Sequence, residues 1–374
     1  MEPLIETGKY KAVLALQSCV TPHGLYASGG SLGYTQVWSR DSNISMMGAA
    51  AHTKSFRGVY AQSLETLAKK QTPLGQIPNA VDFIGSIDKP ATYATIDSSL
   101  WFILGQHFYK KHFGNSLWNK RKKNIAAALK WVQYQDAGDD MLPEQLPTSD
   151  WMDCFPHKYG HTINTQALYY AALDATGNKA ILPKLRERVD YYLWSESLGH
   201  YLPWHWKDHG KYSEKEKWFD SLGNMLSIVF GLASRRQADS ILDFVERQKI
   251  ARPFPMRAIH PTIGFGSAEW KDYFEASRAG EENSYLNGGI WPFIGGFYVC
   301  ALVQAKRFSE AEHEFSLLAK ANSLGSHVDW NWDFNEWIHP ITGAASGSRH
   351  QAWSAGAYLL AYEAVKNKKN PLQI

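Results

Sequence analysis

Residues 92–108 read TYATIDSSLWFILGQHF and carry the pattern that decides the fold. A polar and aromatic loop runs into a helix that begins near Asp97 and is largely apolar on every face from Leu100 to Phe108. The next helix, Leu117–Tyr134, is amphipathic, with lysine and arginine side chains on one face. A helix that is apolar all round belongs in the interior, whereas an amphipathic helix belongs in an outer layer.

The same alternation repeats along the chain. Helical periodicity predicts twelve helices, which begin near Ile5, Asp41, Ser55, Asp97, Ser116, His161, Ile181, Trp218, Arg236, Asn287, Phe308 and Arg349. Those assigned to the inner layer span Ile44–Ala51, Leu100–Phe108, Ala167–Ala175, Met225–Ala233, Phe293–Val303 and Ala352–Ala364. Hairpin signals between alternating strands are nearly absent. The sequence therefore predicts an all-α (α/α)6 toroid of six inner and six outer helices, formed as one domain over residues 1–374.

The loops before the predicted inner helices are the expected functional regions. Each is rich in polar, aromatic or glycine residues, and the outer helices mostly lack such a loop. Three connections are long, at 138–160, 250–286 and 321–348, and loops of that length in a compact domain are usually functional. The N-termini of helices also favour anions and hydroxyl oxygens. We therefore expect the functional groups to cluster at the end of the toroid where the inner helices begin.

Composition and charge exclude several classes of protein. The chain is 44% hydrophobic and 20% charged, so it can bury a sizeable core and is not disordered. Its 39 Lys+Arg exceed its 36 Asp+Glu by only three, whereas a nucleic-acid-binding protein would show a clustered basic face. No apolar run approaches the roughly 20 residues of a membrane span. We therefore expect neither a nucleic-acid partner nor a membrane.

Cysteine usage and the N-terminus predict a cytoplasmic location. Cys19, Cys154 and Cys300 are far apart and odd in number, which indicates neither a disulfide framework nor a paired-cysteine metal site. The N-terminus mixes charged with apolar residues and has no signal-peptide core.

Residues 329–340 read DWNWDFNEWIHP and suggest a carbohydrate site. Three tryptophans and three carboxylates lie within nine residues, although a buried core avoids carboxylates and a solvated loop rarely exposes three indoles. Flat rings stack on the C–H face of a pyranose, and carboxylates bind hydroxyls and move protons. We interpret Glu336 as a candidate acid or base. We also assign to a binding site, instead of the core, the tryptophans that have Asp, Asn, Gly or Pro within two positions. They are Trp151, Trp204, Trp206, Trp291, Trp330, Trp332 and Trp337.

Other segments before predicted inner helices offer further candidates. They are Trp38, Arg40 and Asp41 before the first, Asp97 before the second, Trp151 and Asp153 before the third, Trp291 with the Gly-Gly pair after Asn287 before the fifth, and His350 and Gln351 before the sixth. Apolar neighbours would raise the pKa of Asp97, as a general acid requires. Plainer interpretations stay open: Asp41 and Asp97 as helix N-caps, residues 287–292 as a turn, and His350 as a packed capping histidine.

Metal and nucleotide sites have little support. Asp150 and Asp153 with His157 and His161 suggest metal ligands only weakly, because there is no HExxH and no tight His/Asp spacing. No GxGxxG or Walker-type signature is present. We expect no metal and no organic cofactor.

At these residues the sequence resembles the inverting (α/α)6 glycosidases. It is similar to the amylo-α-1,6-glucosidase domain of glycogen debranching enzymes and to the alkaline/neutral invertases. More distant are trehalase and the processing-glucosidase family that includes mannosylglycerate and glucosylglycerate hydrolases. The matching segments occur in the families' order and are WSRDS (38–42), IPN (77–79), IDSSLW (96–101), WMD (151–153), TQALYY (165–170), NGGIWP (287–292), NEW (335–337) and QAWS (351–354).

This resemblance implies an inverting hydrolase of a small α-glucoside. It implies that Asp97 is the general acid and Glu336 the general base, on opposite faces of the sugar. The implied sugar-binding residues are Trp38, Arg40, Asp41, Trp101, Trp151, Asp153, Gln166, Asn287, Trp291, His350 and Gln351. Two departures from these families disfavour particular substrates. The extra domains of a debranching enzyme are absent from these 374 residues. His339-Pro340 replaces the Phe/Asp pattern that is common after the general base in debranching enzymes and invertases. Glycogen and sucrose are therefore both less expected.

Other functions remain open on the same toroid. A glycoside phosphorylase needs a cationic pocket for phosphate instead of a base. A sugar epimerase would use histidines such as His161 and His350 for proton transfer. A non-catalytic protein would bind sugars and release no product.

Overall fold

Twelve α-helices make up most of the regular structure in the described part of the chain. The computed structural model describes residues 2–29, 33–85, 89–155, 158–206, 214–270, 281–325 and 332–374. The helices are α1 (Pro3–Ser18), α2 (Ser39–His52), α3 (Arg57–Lys69), α4 (Asp97–Phe113), α5 (Ser116–Gln133), α6 (Ile163–Ala175), α7 (Leu182–Leu193), α8 (Ser221–Val229), α9 (Arg235–Arg247), α10 (Pro292–Gln304), α11 (Phe308–Ser323) and α12 (Ala352–Asn367).

The even-numbered helices form a closed inner ring. Helix α2 packs against α4, α4 against α6, α6 against α8, α8 against α10, α10 against α12, and α12 against α2. The odd-numbered helices lie outside this ring, with α1 on α12, α3 and α5 on α4, α7 on α6, and α11 on α10. The predicted (α/α)6 toroid is thereby confirmed.

The chemistry of the helices explains which layer each one joins. Every residue of α10 from Pro292 to Val303 is buried, and none is charged. In α9 the buried residues recur every three or four positions, at Gln237, Ala238, Ile241, Leu242 and Val245, so only one face meets the ring. Ser234 and Gln237 form a capping box that fixes where α9 begins.

A close helix crossing in the ring joins α2 to α12. A Cβ at Gly48 would lie 1.9 Å from the carbonyl oxygen of Gly356, and a Cβ at Gly356 would lie 2.4 Å from the Cα of Ser45. Only glycine permits this approach of two backbones. The crossing closes the ring next to the segments that carry Arg40 and Gln351.

In the described ranges, fourteen strands of two or three residues pair in small antiparallel sheets. The hairpin patterning of the sequence does not predict them because such strands are too short to show an alternation. They are β1 (Val20–Thr21), β2 (Gly24–Leu25), β3 (Gln36–Trp38), β4 (Ala80–Asp82), β5 (Ala91–Thr92), β6 (His161–Thr162), β7 (Trp194–Ser195), β8 (His200–Tyr201), β9 (Trp204–Trp206), β10 (Glu214–Lys215), β11 (Phe219–Asp220), β12 (Ile259–His260), β13 (Trp337–Ile338) and β14 (Ala345–Ser346). The sheet orders are β1-β2, β3-β4-β5, β10-β9-β6, β7-β8, β11-β12 and β13-β14. Strands β3, β6 and β11 lead directly into α2, α6 and α8, so they fix how the chain enters the ring.

The predicted helix starts differ most where such segments precede a helix. The helix expected near Asn287 begins at Pro292, because Gly288 has φ +93° and residues 284–290 form turns and bridges instead. The helix expected near Arg349 begins at Ala352, after His350 adopts a left-handed conformation with φ +49°. Within the described ranges, we find no helix with the length and hydropathy needed to cross a membrane.

Candidate active site

A cavity of about 240 Å³ lies at the end of the ring where the inner helices begin. It is lined by Tyr34, Trp38, Arg40, Asp41, Trp151, Asp153, Cys154, Tyr285, Trp291, Glu336, Gln351 and Trp353. Arg40 and Asp41 belong to the first turn of α2, Trp291 is the N-cap of α10, and Gln351 is the N-cap of α12. The loops before the inner helices therefore converge on one space.

Glu336 lies in the wall of this cavity and is held by three hydrogen bonds. Its side chain is buried, and its Oε2 accepts the backbone N–H of Ser348 at 2.9 Å. Its Oε1 accepts the hydroxyls of Tyr34 at 3.2 Å and Tyr285 at 3.3 Å. A Cβ at Gly347, where φ is +75°, would lie 2.4 Å from Oε2, so this approach requires glycine.

The surroundings of Glu336 include some groups that raise its pKa and others that lower it. Burial raises the pKa of Glu336, and the nearby charge of Asp153 raises it further. The hydrogen bonds from Ser348, Tyr34 and Tyr285 act in the opposite direction, because they stabilise the carboxylate. A buried carboxylate with an elevated pKa and oriented donors is suited to accept a proton.

Backbone strain is concentrated in the segments that carry these groups. Five residues other than glycine have a positive φ there, which are Asn283 (+64°), Tyr285 (+40°), Trp332 (+79°), Phe334 (+45°) and His350 (+49°). Each such conformation costs on the order of 1–3 kcal/mol and persists only when the surroundings hold it in place. The strain places Tyr285 and the loop around Glu336 against the same cavity.

Arg40 is the centre of the charged groups behind the cavity. Its guanidinium lies 3.4 Å from the carboxylate of Asp97, 3.8 Å from that of Asp41 and 3.6 Å from that of Asp153. The same group lies 5.7 Å from the ring centroid of Trp353. Arg40 thus connects three carboxyls that come from α2, α4 and the loop before α6.

These three carboxyls differ in their access to the cavity. Asp97 is fully buried and does not line it, whereas the side chain of Asp153 is about one third exposed, at 33%, and does. Burial raises the pKa of Asp97 to about 6 and that of Asp41 to about 7, although Arg40 opposes both shifts. Removal from bulk water also raises the pKa of Asp153, and the charge of Asp150 adds to this effect.

Aromatic side chains form one wall of the cavity. The ring of Trp353 stacks on Phe293 with centroids 4.1 Å apart and planes 11° apart. Trp291 meets Trp353 edge-on at 5.8 Å and Trp151 edge-on at 5.4 Å. Apolar contact of this kind suits the C–H face of a sugar ring.

Several buried polar atoms of the lining residues have no hydrogen-bond partner within the described protein. They are Nε of Arg40, Oδ2 of Asp41, Nε1 of Trp151, Oε1 of Gln351 and Nε1 of Trp353. Buried polar groups are normally paired. This mixture of donors and acceptors therefore suits a ligand that both donates and accepts hydrogen bonds, as hydroxyl groups do.

Not all of the sequence-predicted residues reach the cavity. Those that line it are Trp38, Arg40, Asp41, Trp151, Asp153, Trp291, Glu336 and Gln351, and those that do not are Asp97, Trp101, Gln166, Asn287 and His350. Trp101 is fully buried between α4 and α10, with its ring 6.2 Å from Phe297. The amide of Gln166 donates to the carbonyl of Pro143.

Asn287 and His350 hold loops instead of facing the cavity. Asn287 exchanges two hydrogen bonds with the backbone of Ile263. His350 occupies the left-handed turn before α12, where its N–H donates to the carbonyl of Asp333. The side chain of Asn287 and the backbone of His350 thus support the segments that carry Tyr285, Trp291 and Gln351.

The interpretation of loop tryptophans was wrong for two residues that belong to the core. Trp332 is only 7% exposed and packs against Phe334 and Tyr358. Trp204 is 2% exposed and packs on Tyr159. Polar neighbours in sequence did not prevent these indoles from being buried. Asp329, Trp330 and His157 lie outside the described residues.

Four lining residues received no role from the sequence, and they are Tyr34, Cys154, Tyr285 and Trp353. Tyr34 and Trp353 lie within or beside segments that the sequence singles out, at 38–42 and 351–354. Tyr285 lies in a long connection, and its position two residues before Asn287-Gly288 is its only signal. No local pattern distinguishes a tyrosine that donates to a carboxylate from one that packs.

Replacing Tyr34 with phenylalanine should shift the acidic limb of the pH profile. The hydroxyl of Tyr34 lowers the pKa of Glu336, so its loss raises that pKa and activity disappears at a higher pH as the pH falls. We expect a shift of about 0.5–1 pH unit in kcat/KM. Tyr285→Phe should act in the same direction, and Tyr10→Phe, at an exposed residue, should leave the limb in place. Superimposable profiles for all of these variants would contradict a role for the two hydroxyls.

Comparison with known proteins gives the family and the fold of the chain. The model of the family described as amylo-alpha-1,6-glucosidase matches residues 17–360. Among curated proteins, alkaline/neutral invertase E of Arabidopsis thaliana is 24% identical over 72% of this chain and 51% of its own length. Neutral/alkaline invertase 1 of rice is 23% identical over 71% of this chain and 50% of its own length. The chain therefore spans about half the length of the curated relatives it matches.

Solved structures share the fold at low sequence identity. The GH63 mannosylglycerate hydrolase of Thermus thermophilus, solved in complex with glucose, superposes with a TM-score of 0.71 at 15% identity, covering 96% of this chain and 99% of that one. A rhamnosidase of Klebsiella oxytoca with rhamnose bound gives 0.66 at 14% identity, covering 96% of this chain and 64% of that one. The resemblance that the sequence motifs predicted is confirmed for the family and for the fold.

Proposed function

We propose that this chain, which belongs to the amylo-α-1,6-glucosidase family, is a glycoside hydrolase that cleaves a small α-glucoside with inversion of configuration. The substrate is a disaccharide or a glucose unit joined to a small solute. The observation that carries this proposal is the cavity itself. Asp41, Asp153 and Glu336 line one small space together with four tryptophans and an arginine.

Glu336 is the proposed general base. It is oriented by the backbone of Ser348 and by the hydroxyls of Tyr34 and Tyr285, so its carboxylate is held in one position. In its ionised form it removes a proton from a water molecule as that water attacks the anomeric carbon. Inversion follows because attack occurs on the face opposite the leaving group. No step of this mechanism requires a metal or an organic cofactor.

The proposed general acid is one of two aspartates. Asp97 is the residue that the sequence resemblance implies, and its pKa is raised to about 6 by burial. Asp153 is favoured by position, because it lines the cavity and can contact a glycosidic oxygen there. We propose Asp153 as the donor and assign Asp97 to the support of Arg40, to which it is paired at 3.4 Å.

The proposed substrate is small because the cavity is small. A volume of about 240 Å³ lies below the range of about 300–1,000 Å³ that is typical of pockets for larger ligands. Such a volume suits one pyranose ring, with the aromatic wall against its C–H face. The leaving group would occupy the mouth of the cavity.

The described lining residues favour hydrolysis over the other two reactions. A phosphorylase needs cations for phosphate. Among the described residues that line the cavity Arg40 is the one cation, and it is already engaged by three carboxylates. An epimerase would use histidines, but neither His161 nor His350 lines the cavity. Three carboxyls that line one cavity suit acid–base transfer to water.

A panel of disaccharides and glucosyl-solutes tests the proposal. Purified protein is incubated with each compound, and the first anomer released is identified by proton NMR. We expect hydrolysis of at least one α-glucoside with β-glucose appearing first. Release of α-glucose first would contradict inversion, a phosphate-dependent glucose phosphate would indicate a phosphorylase, and binding without product would indicate a sugar-binding protein.

A cytoplasmic location stays a prediction. All three cysteines are free, which fits a reducing compartment. The names of the curated relatives include chloroplastic, mitochondrial and cytosolic proteins. Fractionation of the source cells would test it.

A further inference from the structure

A fully buried lysine lies behind the cavity and is shared between two aspartates. The ammonium group of Lys158 is 2.8 Å from the carboxylate of Asp150 and 2.7 Å from that of Asp220. All three side chains are at most 1% exposed. Burial alone would lower the pKa of Lys158, but the two carboxylates raise it, so the lysine keeps its charge. An isolated buried ammonium would be costly, and this pairing offsets that cost.

The cluster joins two inner helices to the segment that carries Trp151 and Asp153. Asp220 is the N-cap of α8, where its carboxylate accepts the N–H of Gly223 at 3.1 Å. Asp150 accepts the N–H of Met152 at 2.9 Å and the amide of Asn164, which belongs to α6, at 3.4 Å. Lys158 thus links the loop that carries Trp151 and Asp153, here called the cavity loop, to α6 and α8.

A second attachment holds the same loop to the start of α4. The N–H of Ile96 donates to the carbonyl of Ser149 at 2.8 Å, and the hydroxyl of Ser149 donates to the carbonyl of Ala94. The residues just before Trp151 are therefore fixed from two sides, and Asp153 lies between these attachments and the cavity.

We infer that Lys158 is a positioning residue, whose shared contact with Asp150 and Asp220 holds Trp151 and Asp153 in the cavity wall and sets the charge behind them. This inference rests on the proposed function for its catalytic consequence. Its structural part, the placement of the loop, does not depend on which reaction occurs. Lys158 is not among the described residues that line the cavity and is fully buried, so its proposed role is positioning instead of substrate binding.

The electrostatic part of the inference concerns the general acid. The charge of Asp150 raises the pKa of both Asp153 and Asp97. Other charged or titratable groups act on this part of the site from the surrounding elements, and these are Tyr34, Arg40, Asp41, Cys154, Tyr285 and Glu336. They remain in place when Asp150 is changed, so Asp150→Asn isolates one contribution.

The first experiment compares Asp150→Asn with Asp220→Asn. Each variant replaces one partner of Lys158 with a neutral amide of the same shape. Asp150→Asn should move the alkaline limb of kcat/KM to lower pH by about half a unit or more, because a negative charge near the acid is lost. Asp220→Asn should leave that limb within about 0.2 unit, because Asp220 is not among the main influences on Asp153. Superimposable profiles for Asp150→Asn and the unchanged protein would overturn the electrostatic part.

The second experiment needs no turnover. Cys154 is adjacent to Asp153 and partly exposed, whereas Cys19 and Cys300 are buried. Lys158→Met should increase the rate of iodoacetamide alkylation at Cys154 by about tenfold, with Cys19 and Cys300 still unreactive, because only the cavity loop loosens. Arg252→Met, which breaks the remote pair with Glu314, should not change that rate.

The two experiments separate this inference from the proposed function. If no α-glucoside is hydrolysed by the unchanged protein, the proposed function fails while the alkylation rates still test the placement of the loop. An unchanged alkylation rate in Lys158→Met, or equal reactivity of all three cysteines, would overturn the positioning role.

Discussion

Glu336→Gln should reduce kcat/KM by about 10³-fold and leave the fold intact. Removal of a general base typically costs on the order of 10²–10⁴ in rate. Glutamine keeps the shape of the side chain and the oxygen that accepts from Tyr34 and Tyr285, and it loses only the acceptor of the Ser348 N–H. The amide cannot take a proton from water at neutral pH. The measurement is initial-rate kinetics on the best substrate from the panel, with circular dichroism and thermal unfolding to check the fold.

Glu314→Gln provides a matched control for that variant. Glu314 is as buried as Glu336, at 4% exposure for each, and lies on α11, where it pairs with Arg252 at 2.8 Å. It should keep near-normal kcat/KM, with a lower stability as the main effect, because one partner of an ion pair is lost.

A chemical rescue adds a second test of Glu336. In Glu336→Ala the space left by the side chain can admit azide, which attacks the anomeric carbon without needing a base. The expected product is a glycosyl azide of inverted configuration. A fully active Glu336→Gln enzyme would remove Glu336 from the mechanism.

The sequence predicted the ring because helix burial is a property of many residues at once. Each predicted inner segment, such as Phe293–Val303, contains several apolar side chains, so its assignment to the inner layer does not depend on any single residue. The sequence did not predict the strands, because strands such as β6 and β11 have only two residues each. At that length the backbone pairing comes from the neighbouring segment and leaves no alternation in the sequence.

The site was predicted in part for a related reason. Glu336 and Trp291 lie in segments whose composition is unusual for either a core or a loop, so composition alone singles them out. Asp97 and Asp153 both lie in the polar approach to an inner helix, and sequence cannot say which carboxyl reaches the cavity. Both carboxyls pair with Arg40, but Asp97 is fully buried in the first turn of α4, whereas Asp153 lies in the loop before α6 and lines the cavity. The sequence did not predict a role for Tyr285, because this residue lies in a long connection whose path no local pattern determines.

Asp153→Asn and Asp97→Asn should separate the two candidates for the general acid. With Asp153 as donor, Asp153→Asn should lower kcat/KM by about 10³-fold on a glucoside with an alcohol leaving group. The loss should be far smaller on α-glucosyl fluoride, because fluoride leaves with little protonation. The alkaline limb of the pH profile should disappear in this variant, since that limb reports the ionisation of the acid.

Asp97→Asn should behave differently because Asp97 acts through Arg40. The variant removes one of three carboxylates around a buried guanidinium, so we expect about a tenfold loss of kcat/KM that is similar for fluoride and alcohol leaving groups. The alkaline limb should remain, and it should move to lower pH because Arg40 is then less neutralised and lowers the pKa of Asp153 more strongly. If Asp97→Asn instead loses the limb and regains activity on the fluoride, Asp97 is the acid. Asp153 would then serve to bind a hydroxyl of the sugar at the cavity wall.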